Sequence, residues 1–182
     1  MPNELLVIID PQNDFINKTG FYAKKHCGID QILNARQKIN NLLSLHNKEK
    51  IVIVFSNYKK DQFEEGLSIC IPGTVGHKLD IKVDNAFTLI EKNNHSCFSS
   101  GDFKTYLEKN FVNRIILCGF LAEYCVKQTA VDGLENGYQV SLLRECIGTG
   151  DDVQNRKEQM LIELADKGAE ILSDNFSQTF VP

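Results

Sequence analysis

Three reactive side chains stand at or just after the ends of apolar runs in this chain: Asp10, Lys92 and Cys125. A carboxylate can accept a proton, an ammonium group can balance negative charge, and a thiol that loses its proton is a strong nucleophile. Together they could attack a carbonyl carbon while backbone amides hold the oxyanion. Each residue also has an ordinary interpretation, as a turn former, a solvated lysine or a small core residue. The chemistry therefore requires a fold that brings the three side chains together.

Cys125 differs from the other cysteines in its position. The chain has six cysteines, at 27, 70, 97, 118, 125 and 146, without a Cys-x-x-Cys pair, so we expect free thiols rather than a disulfide framework. Cys118 lies inside an apolar run and is typical of a core residue. Cys125 follows Gly119 at the beginning of a helical pattern, where free N–H groups, the helix dipole and a nearby lysine lower the pKa of a thiol. We therefore expect an activated nucleophile at Cys125.

Alternating strand and helix patterns predict the fold that these residues need. Apolar runs predict strands, and amphipathic stretches predict helices. The strands are at 5–10, 50–57, 86–92, 114–120, 138–143 and 169–172, and the helices are at 29–46, 102–110, 123–136 and 152–167. Repeated strand–helix units predict a three-layer α-β-α sandwich around a central, mainly parallel six-stranded sheet in a Rossmann-like order. We expect a single domain over residues 1–182.

The carboxyl edge of such a sheet is the place where ligands bind. The first strand ends at Asp10, the second at 56–57 and the third at Lys92, and the fourth leads through a short turn to Cys125. The carboxylate, the ammonium group and the thiol are therefore predicted to converge at this edge. The segment 58–85 is long and irregular, and loops of that length are often functional.

Composition and charge exclude several classes of function. The 182 residues have a formal net charge of −4 at pH 7 and an isoelectric point near 5.6, so we expect no binding to nucleic acid or to an anionic membrane surface. No apolar run reaches the roughly 18 residues that a membrane span needs. The first strand begins close to the N-terminus without a basic and apolar leader, which favours a cytoplasmic protein.

Four stretches of the chain resemble the isochorismatase-like cysteine hydrolases, a superfamily that includes nicotinamidases and N-carbamoyl amidases. They are VIIDPQNDF at 7–15, CIPGTVGHKL at 70–79, KNNHSCF at 92–98 and GFLAEYCVKQTAVDGLENGY at 119–138. The resemblance covers most of residues 5–145. The first and last stretches are specific when they occur together.

This resemblance implies a catalytic triad of Asp10, Lys92 and Cys125. In the superfamily the cysteine is the nucleophile, the aspartate accepts and donates the proton, and the lysine is an electrostatic partner. The members that cleave isochorismate usually lack the cysteine, so the presence of Cys125 disfavours cleavage of a vinyl ether. A hydrolase of C–N bonds is the class that remains.

The resemblance also implies residues of the substrate pocket and the oxyanion site. It implies a cis peptide bond between Phe120 and Leu121, which turns backbone N–H groups, here those of Leu121 and Cys125, toward the oxyanion. Gln12 and Phe15 match residues that line the floor of the pocket in relatives.

Departures from the nicotinamidase pattern predict an enzyme without a metal or another cofactor. Nicotinamidases bind a metal through an Asp-x-His pair after the second strand and a histidine directly before the Cys-x-x-Gly-Thr loop. The matched positions of this chain hold Asn57, Lys59 and Ile69. An amide oxygen is a poor ligand for Zn²⁺ or Fe²⁺, a protonated ammonium group has no lone pair, and an isoleucine has no donor atom.

The histidines give little support for a metal site. They are scattered at 26, 46, 77 and 95 and form no close ligand pair. His46 is predicted at the end of a helix, and His95 is predicted on the rim of the site. One alternative stays open, in which His77 joins Asp61 or Glu64 to rebuild a metal site.

The sequence therefore predicts a metal-independent cysteine hydrolase that cleaves a C–N amide or carbamoyl bond through a thioester on Cys125. Its partner is a small-molecule amide substrate whose identity the sequence leaves open. Two alternatives remain: a nicotinamidase with an altered metal site, and a catalytically inactive relative that acts as a binding protein. The intact set of Asp10, Lys92 and Cys125 argues against the inactive relative. Members of the superfamily are often dimers or tetramers, so the resemblance implies a homo-oligomer.

Overall fold

Six strands form one parallel sheet in the computed structural model, which describes residues 3–45 and 47–173. The strands are β1 (Glu4–Ile9), β2 (Ile51–Ser56), β3 (Thr88–Lys92), β4 (Arg114–Phe120), β5 (Gln139–Gly148) and β6 (Glu170–Leu172). Their order is β3-β2-β1-β4-β5-β6, and every neighbouring pair is parallel. The predicted six-stranded sheet in a Rossmann-like order is therefore confirmed.

Helices cover both faces of this sheet. They are α1 (Asn13–Ile16), α2 (Asp30–Leu45), α3 (Gly101–Lys109), α4 (Lys127–Glu135) and α5 (Gln154–Asp166). Helix α2 packs on one face, and α3, α4 and α5 pack on the other, which confirms the three-layer sandwich. The prediction for His46, just after α2, lies outside the described residues. No helix within the described residues is long and apolar enough to cross a membrane.

The apolar runs are continuous because the central strands are buried on both faces. In β1, Val7 and Ile9 belong to the core under α3, α4 and α5, whereas Leu6 and Ile8 belong to the core under α2. Full burial of one such side chain stabilises the fold by about 1.5–3 kcal/mol. A polar side chain in the middle of β1 would forfeit that stabilisation, and Asp10 accordingly stands just beyond the end of the strand.

The helix predicted over 123–136 differs from the observed one at its beginning. Residues Ala122–Val126 form a π-helical turn, and α4 begins only at Lys127. Cys125 therefore lies in this wide turn and not in the first turn of an α-helix. Turns of this kind are rare and occur frequently at functional sites. The end of the helix is as predicted, with Gly137 in a left-handed conformation (φ 82°) shortly after α4.

The segment 58–85, which is described throughout, is irregular as predicted and holds no helix or strand. It is attached to α1 through Asp14. The N–H of Asp14 donates to the Gly76 carbonyl (2.9 Å), and its Oδ2 accepts from the N–H of Cys70 (2.8 Å). A Cβ at Gly76 would lie 2.1 Å from Oδ2 of Asp14, so a larger residue there would displace this carboxylate from its bond with Cys70. The segment is therefore held as a wall beside the carboxyl edge of the sheet.

Candidate active site

The strand ends bring Asp10, Lys92 and Cys125 together at the carboxyl edge of the sheet. Asp10 follows β1 in a left-handed conformation (φ 51°), and its N–H donates to the Val54 carbonyl at 2.8 Å. Lys92 is the last residue of β3 and is only 2% exposed. Its Nζ lies 2.9 Å from Asp10 Oδ2 and 3.6 Å from Cys125 Sγ. The convergence that the strand pattern predicts is therefore present in the structure.

Ser56, the last residue of β2, completes a polar cluster with Asp10 and Lys92. Its fully buried hydroxyl donates to Asp10 Oδ1 at 2.8 Å and accepts from Lys92 Nζ at 2.8 Å. We call Asp10, Ser56 and Lys92 the polar cluster. The sequence offers only the strand-end position of Ser56 as a signal for this role.

Gln12 lies behind the polar cluster rather than on the pocket floor, where the resemblance places it. Its side chain is fully buried, and Nε2 donates to the carbonyls of Ser56 and His77 at 2.9 Å each. Its Oε1 accepts from the N–H of Ser56 at 2.8 Å. Because the amide group is occupied by backbone partners, Gln12 holds the end of β2 in place.

The ammonium group of Lys92 has three hydrogens, and three oxygens accept them. Nζ donates to Ser56 Oγ at 2.8 Å, the Asn94 carbonyl at 2.9 Å and the Tyr58 hydroxyl at 3.1 Å. The 2.9 Å contact with Asp10 Oδ2 is therefore an ion pair without an aligned hydrogen bond. Among buried side-chain nitrogen and oxygen atoms of the described residues, Asp10 Oδ2 alone has no hydrogen bond. Its lone pairs are free to accept a proton.

Lys92 keeps its positive charge although it is buried. Burial lowers the pKa of Lys92, but the negative charge of Asp10 raises it, and the pKa lies well above its usual value. A buried ammonium group without a partner would be strongly destabilising. The ion pair with Asp10 is what makes this position tolerable for a lysine.

The thiol of Cys125 is protonated in the resting site, which corrects the expectation of an activated thiolate. Burial raises the pKa of Cys125 well above its usual value, and the negative charge of Asp10 raises it further. Lys92 lowers this pKa but offsets only part of the increase. The expectation rested on the helix start and the nearby lysine and did not include burial, whereas the residue is only 2% exposed. Ionisation of the thiol therefore requires a base inside the site.

The thiol lines a cavity of about 280 Å³ beside the polar cluster. Six aromatic side chains also line it: Phe15, Phe21, Tyr22, Tyr58, Phe63 and Tyr124. The charged side chains of Lys25 and Glu64 belong to the same lining. Phe15 therefore lies in the pocket, where the resemblance places it. A lining of this kind suits a small flat group that can contact aromatic rings.

The turn before Cys125 contains the predicted cis peptide bond between Phe120 and Leu121. Leu121 lines the cavity, whereas Phe120 is fully buried beside it. Gly119 has a φ of 120°, and a Cβ there would lie 2.1 Å from the Ile9 carbonyl oxygen, so only glycine fits. The roles of the Leu121 and Cys125 N–H groups in binding an oxyanion stay a prediction.

Two side chains for which the sequence predicts no contact with the thiol also reach the sulfur. The Tyr58 hydroxyl lies 3.6 Å and His95 Nδ1 lies 3.8 Å from Cys125 Sγ. The ring of His95 stacks on Phe63, with centroids 4.4 Å apart. Burial lowers the pKa of His95, and Lys92 lowers it further, so the ring is neutral at neutral pH. His95 therefore contacts the thiol instead of standing on the rim.

The positions that hold a metal in nicotinamidases do not fit a metal here. The side-chain oxygen of Asn57 is hydrogen-bonded to Nε2 of His77, Lys59 is exposed, and Ile69 lines the cavity. In the part of the chain that the structure describes, no group of three His, Cys, Asp or Glu side chains could hold a metal ion. The donor set of a zinc or iron site is therefore missing from these positions.

The alternative metal site around His77 is not formed either. Its ring contacts Asn57 and the edge of Phe55, at 5.7 Å between ring centroids. Asp61 Oδ1 accepts from the N–H of Gly66 at 2.9 Å. These side chains are engaged separately, and neither Asp61 nor Glu64 groups with His77 among the described residues.

Comparisons with known proteins agree with this geometry. A family model for the isochorismatase domain matches residues 4–175. The secreted isochorismatase effector Isc1 of Verticillium dahliae is 25% identical over 170 residues, which cover 90% of this chain and 84% of that protein. The pyrazinamidase of Pyrococcus horikoshii, solved in complex with zinc, is 26% identical with a TM-score of 0.79 and covers 94% of this chain and 99% of its own. The nicotinamidase of Bacillus subtilis has a TM-score of 0.78 at 21% identity, over 96% of this chain and 100% of its own.

The family match includes both the scaffold and the site. It begins with the first strand and extends past the last one, so it contains the whole parallel sheet. Asp10, Lys92 and Cys125 all lie inside it. From the sheet and the motifs on its carboxyl edge, together with this match, we conclude that the chain belongs to the isochorismatase family of hydrolases.

Proposed function

We propose that this protein hydrolyses a C–N amide or carbamoyl bond of a small molecule through a thioester on Cys125, without a metal. The observation that carries the proposal is the buried Oδ2 atom of Asp10, which has no hydrogen bond. The ion pair with Lys92 balances the charge of this carboxylate but leaves Oδ2 able to accept a hydrogen. The neighbouring thiol has one to give, and it lies close enough to Asp10 for the negative charge of the carboxylate to raise the pKa of Cys125.

In the first step the thiol proton passes to Asp10 while Sγ of Cys125 bonds to the carbonyl carbon. The electrons of the C=O double bond move onto the oxygen, which the N–H groups of Leu121 and Cys125 bind. Lys92 Nζ lies 2.9 Å from the carboxylate and 3.6 Å from the sulfur. It therefore stays beside the negative charge while that charge passes from the Asp10 carboxylate to the sulfur, before the carbonyl oxygen takes it up.

In the second step the oxyanion re-forms the C=O bond, the C–N bond breaks, and the leaving nitrogen takes the proton from Asp10. Ammonia or a small amine departs, and the acyl group stays on Cys125 as a thioester. Water then attacks the thioester carbon, and Asp10 accepts a proton from the water. The C=O bond re-forms, the C–S bond breaks, and that proton returns to the sulfur as the acid leaves, so the resting thiol and carboxylate are restored.

The cavity limits the substrate to a small molecule. Its volume of about 280 Å³ accommodates a compact acyl group, and the aromatic lining favours a flat one. A folded polypeptide segment would not reach the buried sulfur of Cys125, which is 2% exposed as a residue. These features support a low-molecular-weight amide or carbamoyl compound as the substrate.

A second candidate is nicotinamidase activity with an altered metal site. The 26% identity with the zinc-bound pyrazinamidase favours it. Asn57, Lys59 and Ile69 at the metal positions argue against it, because nothing there would hold a pyridine nitrogen through a metal. The third alternative, an inactive relative, is disfavoured because a buried pair of Asp10 and Lys92 adds little to stability without a function.

An ammonia-release screen tests the proposal. The compounds are nicotinamide, pyrazinamide, N-carbamoyl amino acids, ureido acids and simple aliphatic amides, assayed with wild type and Cys125→Ala before and after exhaustive chelation. We expect at least one compound to release ammonia, with full loss in Cys125→Ala and no effect of chelation.

Each of the other outcomes would support a different function or mechanism. Turnover by Cys125→Ala would overturn the nucleophile assignment. Loss of activity on chelation, restored by Zn²⁺, Mn²⁺ or Fe²⁺, would support the nicotinamidase candidate. No release from any compound, with Cys125 alkylated no faster than the other buried cysteines, would support the inactive relative.

A further inference from the structure

We infer that Tyr58 is a further catalytic residue, whose hydroxyl donates a hydrogen bond to the sulfur of Cys125 as the thiol loses its proton. This inference rests on the proposed function, since it requires Cys125 to be the nucleophile. No motif identifies Tyr58, which stands two residues after β2 in the irregular segment 58–85. The structure nevertheless places its hydroxyl 3.6 Å from Cys125 Sγ.

The position of this hydroxyl is fixed by the packing of the ring. Tyr58 is only 3% exposed, and its ring meets Phe63 edge to face, with centroids 4.8 Å apart and planes at 88°. The ammonium group of Lys92 lies 5.2 Å from the ring centroid. The N–H of Tyr58 donates to the Cys70 carbonyl at 3.2 Å, which holds the start of the segment 58–85 against its middle. The hydroxyl is therefore held in place before any substrate binds.

The hydrogen-bond partners of Tyr58 leave its hydroxyl hydrogen available for the sulfur. The oxygen of Tyr58 accepts from Lys92 Nζ at 3.1 Å, so its own hydrogen points elsewhere. One acceptor within reach is the Asn94 carbonyl at 3.4 Å, which is long for an O–H···O bond and already accepts from Lys92 at 2.9 Å. A second is Cys125 Sγ at 3.6 Å, a normal separation for the larger sulfur atom.

The need for this donor grows during the reaction. When the thiol proton moves to Asp10, the sulfur gains negative charge and becomes a much better acceptor. Lys92 has already committed its three hydrogens to oxygen atoms, so its contact with the sulfur is mainly electrostatic. Tyr58 keeps its proton, because burial and then the charges of Cys125 and Asp10 raise its pKa well above the usual value. It therefore acts as a donor and not as a base.

The other groups around the sulfur do not replace this donor. Asp10, after β1, carries negative charge and has no hydrogen to donate. Cys70, from the segment 58–85, is a buried thiol, and burial raises its pKa well above the usual value. His95, after β3, is neutral, and its Nδ1, 3.8 Å from the sulfur, can donate in only one of its two tautomers. Tyr58 is thus the hydroxyl that can bond the thiolate without changing its own protonation state.

The test compares Tyr58→Phe with wild type and with the control Tyr106→Phe. The first variant removes only the hydroxyl and keeps the ring contacts. Tyr106 lies on α3, and its hydroxyl donates to the Glu49 carbonyl at 3.4 Å, far from the site in the fold. Two rates are measured at one pH: alkylation of Cys125 by iodoacetamide, followed by peptide mass spectrometry, and steady-state turnover of the best substrate.

We expect Tyr58→Phe to slow alkylation of Cys125 and to lower kcat by about tenfold each, because a hydrogen bond to a charged group is lost. KM should change by less than about twofold, and the thermal midpoint should stay near that of wild type. Tyr106→Phe should leave both rates unchanged. A ring-fluorinated tyrosine at position 58, which is a stronger donor of the same shape, should alkylate at least as fast as wild type.

An unchanged or faster alkylation rate in Tyr58→Phe would overturn the inference, since the hydroxyl would then only hold Lys92. A fluorinated protein as slow as Tyr58→Phe would overturn it as well. Failure of the proposed function is a separate result: turnover by Cys125→Ala would refute the nucleophile whatever the Tyr58 variants show.

Discussion

The polar cluster differs in construction from the aromatic wall of the cavity, the name we give to its six lining Phe and Tyr side chains. Asp10, Ser56 and Lys92 follow or end three adjacent strands, are buried, and each contacts the other two. The cavity wall comes largely from loops, and its members Phe63 and Tyr124 are 36% and 46% exposed. The comparison indicates that proton transfer and charge balance depend on the sheet, whereas selectivity depends on loop residues other than Tyr58, which can change without altering the proton chemistry.

The geometry of the polar cluster follows from strand register. Ser56 and Lys92 are paired residues in the parallel ladder of β2 and β3. Asp10 follows directly after the pairing of Ile9 with Val54 in β1 and β2. Neighbouring strands lie about 4.8 Å apart, so side chains at these positions must meet. A shift by one residue would turn the side chains to the opposite face and abolish the cluster.

The largest effect is expected when the polar cluster loses its base. Asp10→Asn cannot accept the thiol proton, so kcat should fall by roughly a thousandfold. It also leaves the buried ammonium group of Lys92 without a counter-charge, and the free energy of unfolding should fall by about 3 kcal/mol. Steady-state kinetics and urea denaturation measure the two effects. The control is Asp84→Asn at an exposed ion pair with Lys48, which should change neither; a wild-type kcat in Asp10→Asn would remove Asp10 from the mechanism.

A smaller but still large effect is expected when the polar cluster loses its positive charge. Lys92→Met keeps the shape of the side chain and removes the cation that lowers the pKa of Cys125. Alkylation of Cys125 at neutral pH should slow by about a hundredfold, because a neighbouring opposite charge shifts a pKa by about 1–3 units. Peptide mass spectrometry after timed iodoacetamide treatment measures the rate. Lys48→Met is the matched surface control, and an equal alkylation rate in both variants would place Lys92 outside the electrostatic mechanism.

Apart from Tyr58, the aromatic wall should affect binding instead of chemistry. Phe63→Ala removes a ring that stacks on His95 and lines the cavity, so KM should rise by about tenfold. The kcat should stay within about twofold, because Tyr58 keeps its contacts with Lys92 and with the Cys70 carbonyl. Phe111→Ala, at a side chain that is 84% exposed outside the cavity lining, is the control and should leave both constants unchanged. A collapse of kcat in Phe63→Ala would show that the two regions are not separable.

The smallest effect is expected from a cysteine that belongs to the scaffold. Cys118 is fully buried within β4, and Cys118→Ala should lower the free energy of unfolding by about 1 kcal/mol through a small cavity. Turnover should be unchanged. Urea denaturation and the ammonia assay measure this pair of results, and loss of turnover in the folded variant would mean that Cys118 serves the site.

Strand ends could be predicted from the sequence because burial on both faces leaves an unambiguous pattern. The apolar run before Asp10 and the run that leads toward Cys125 each stop where the sheet stops, so their convergence follows from the fold class. Lys92 is less obvious, since a lysine after a strand is usually solvated. Its role became predictable only together with the neighbouring motifs.

The contacts of Tyr58 and His95 could not be predicted in the same way. Both residues lie outside the strands, in stretches whose backbone path has no periodicity to interpret. The protonation state of Cys125 was also out of reach, because it depends on how completely these loops exclude water from the sulfur. Gln12 shows a related limit: its motif position suggests a pocket residue, but the structure uses its amide to hold the end of β2.

The most direct test of the mechanism is to trap the acyl group on Cys125. The enzyme is mixed with its best amide substrate under single-turnover conditions, quenched rapidly with acid, and analysed by intact and peptide mass spectrometry. We predict an adduct with the mass of the acyl group on the peptide that contains Cys125, and no adduct in the Cys125→Ala variant. Turnover without any adduct on Cys125, or an adduct on another residue, would contradict the proposed thioester mechanism.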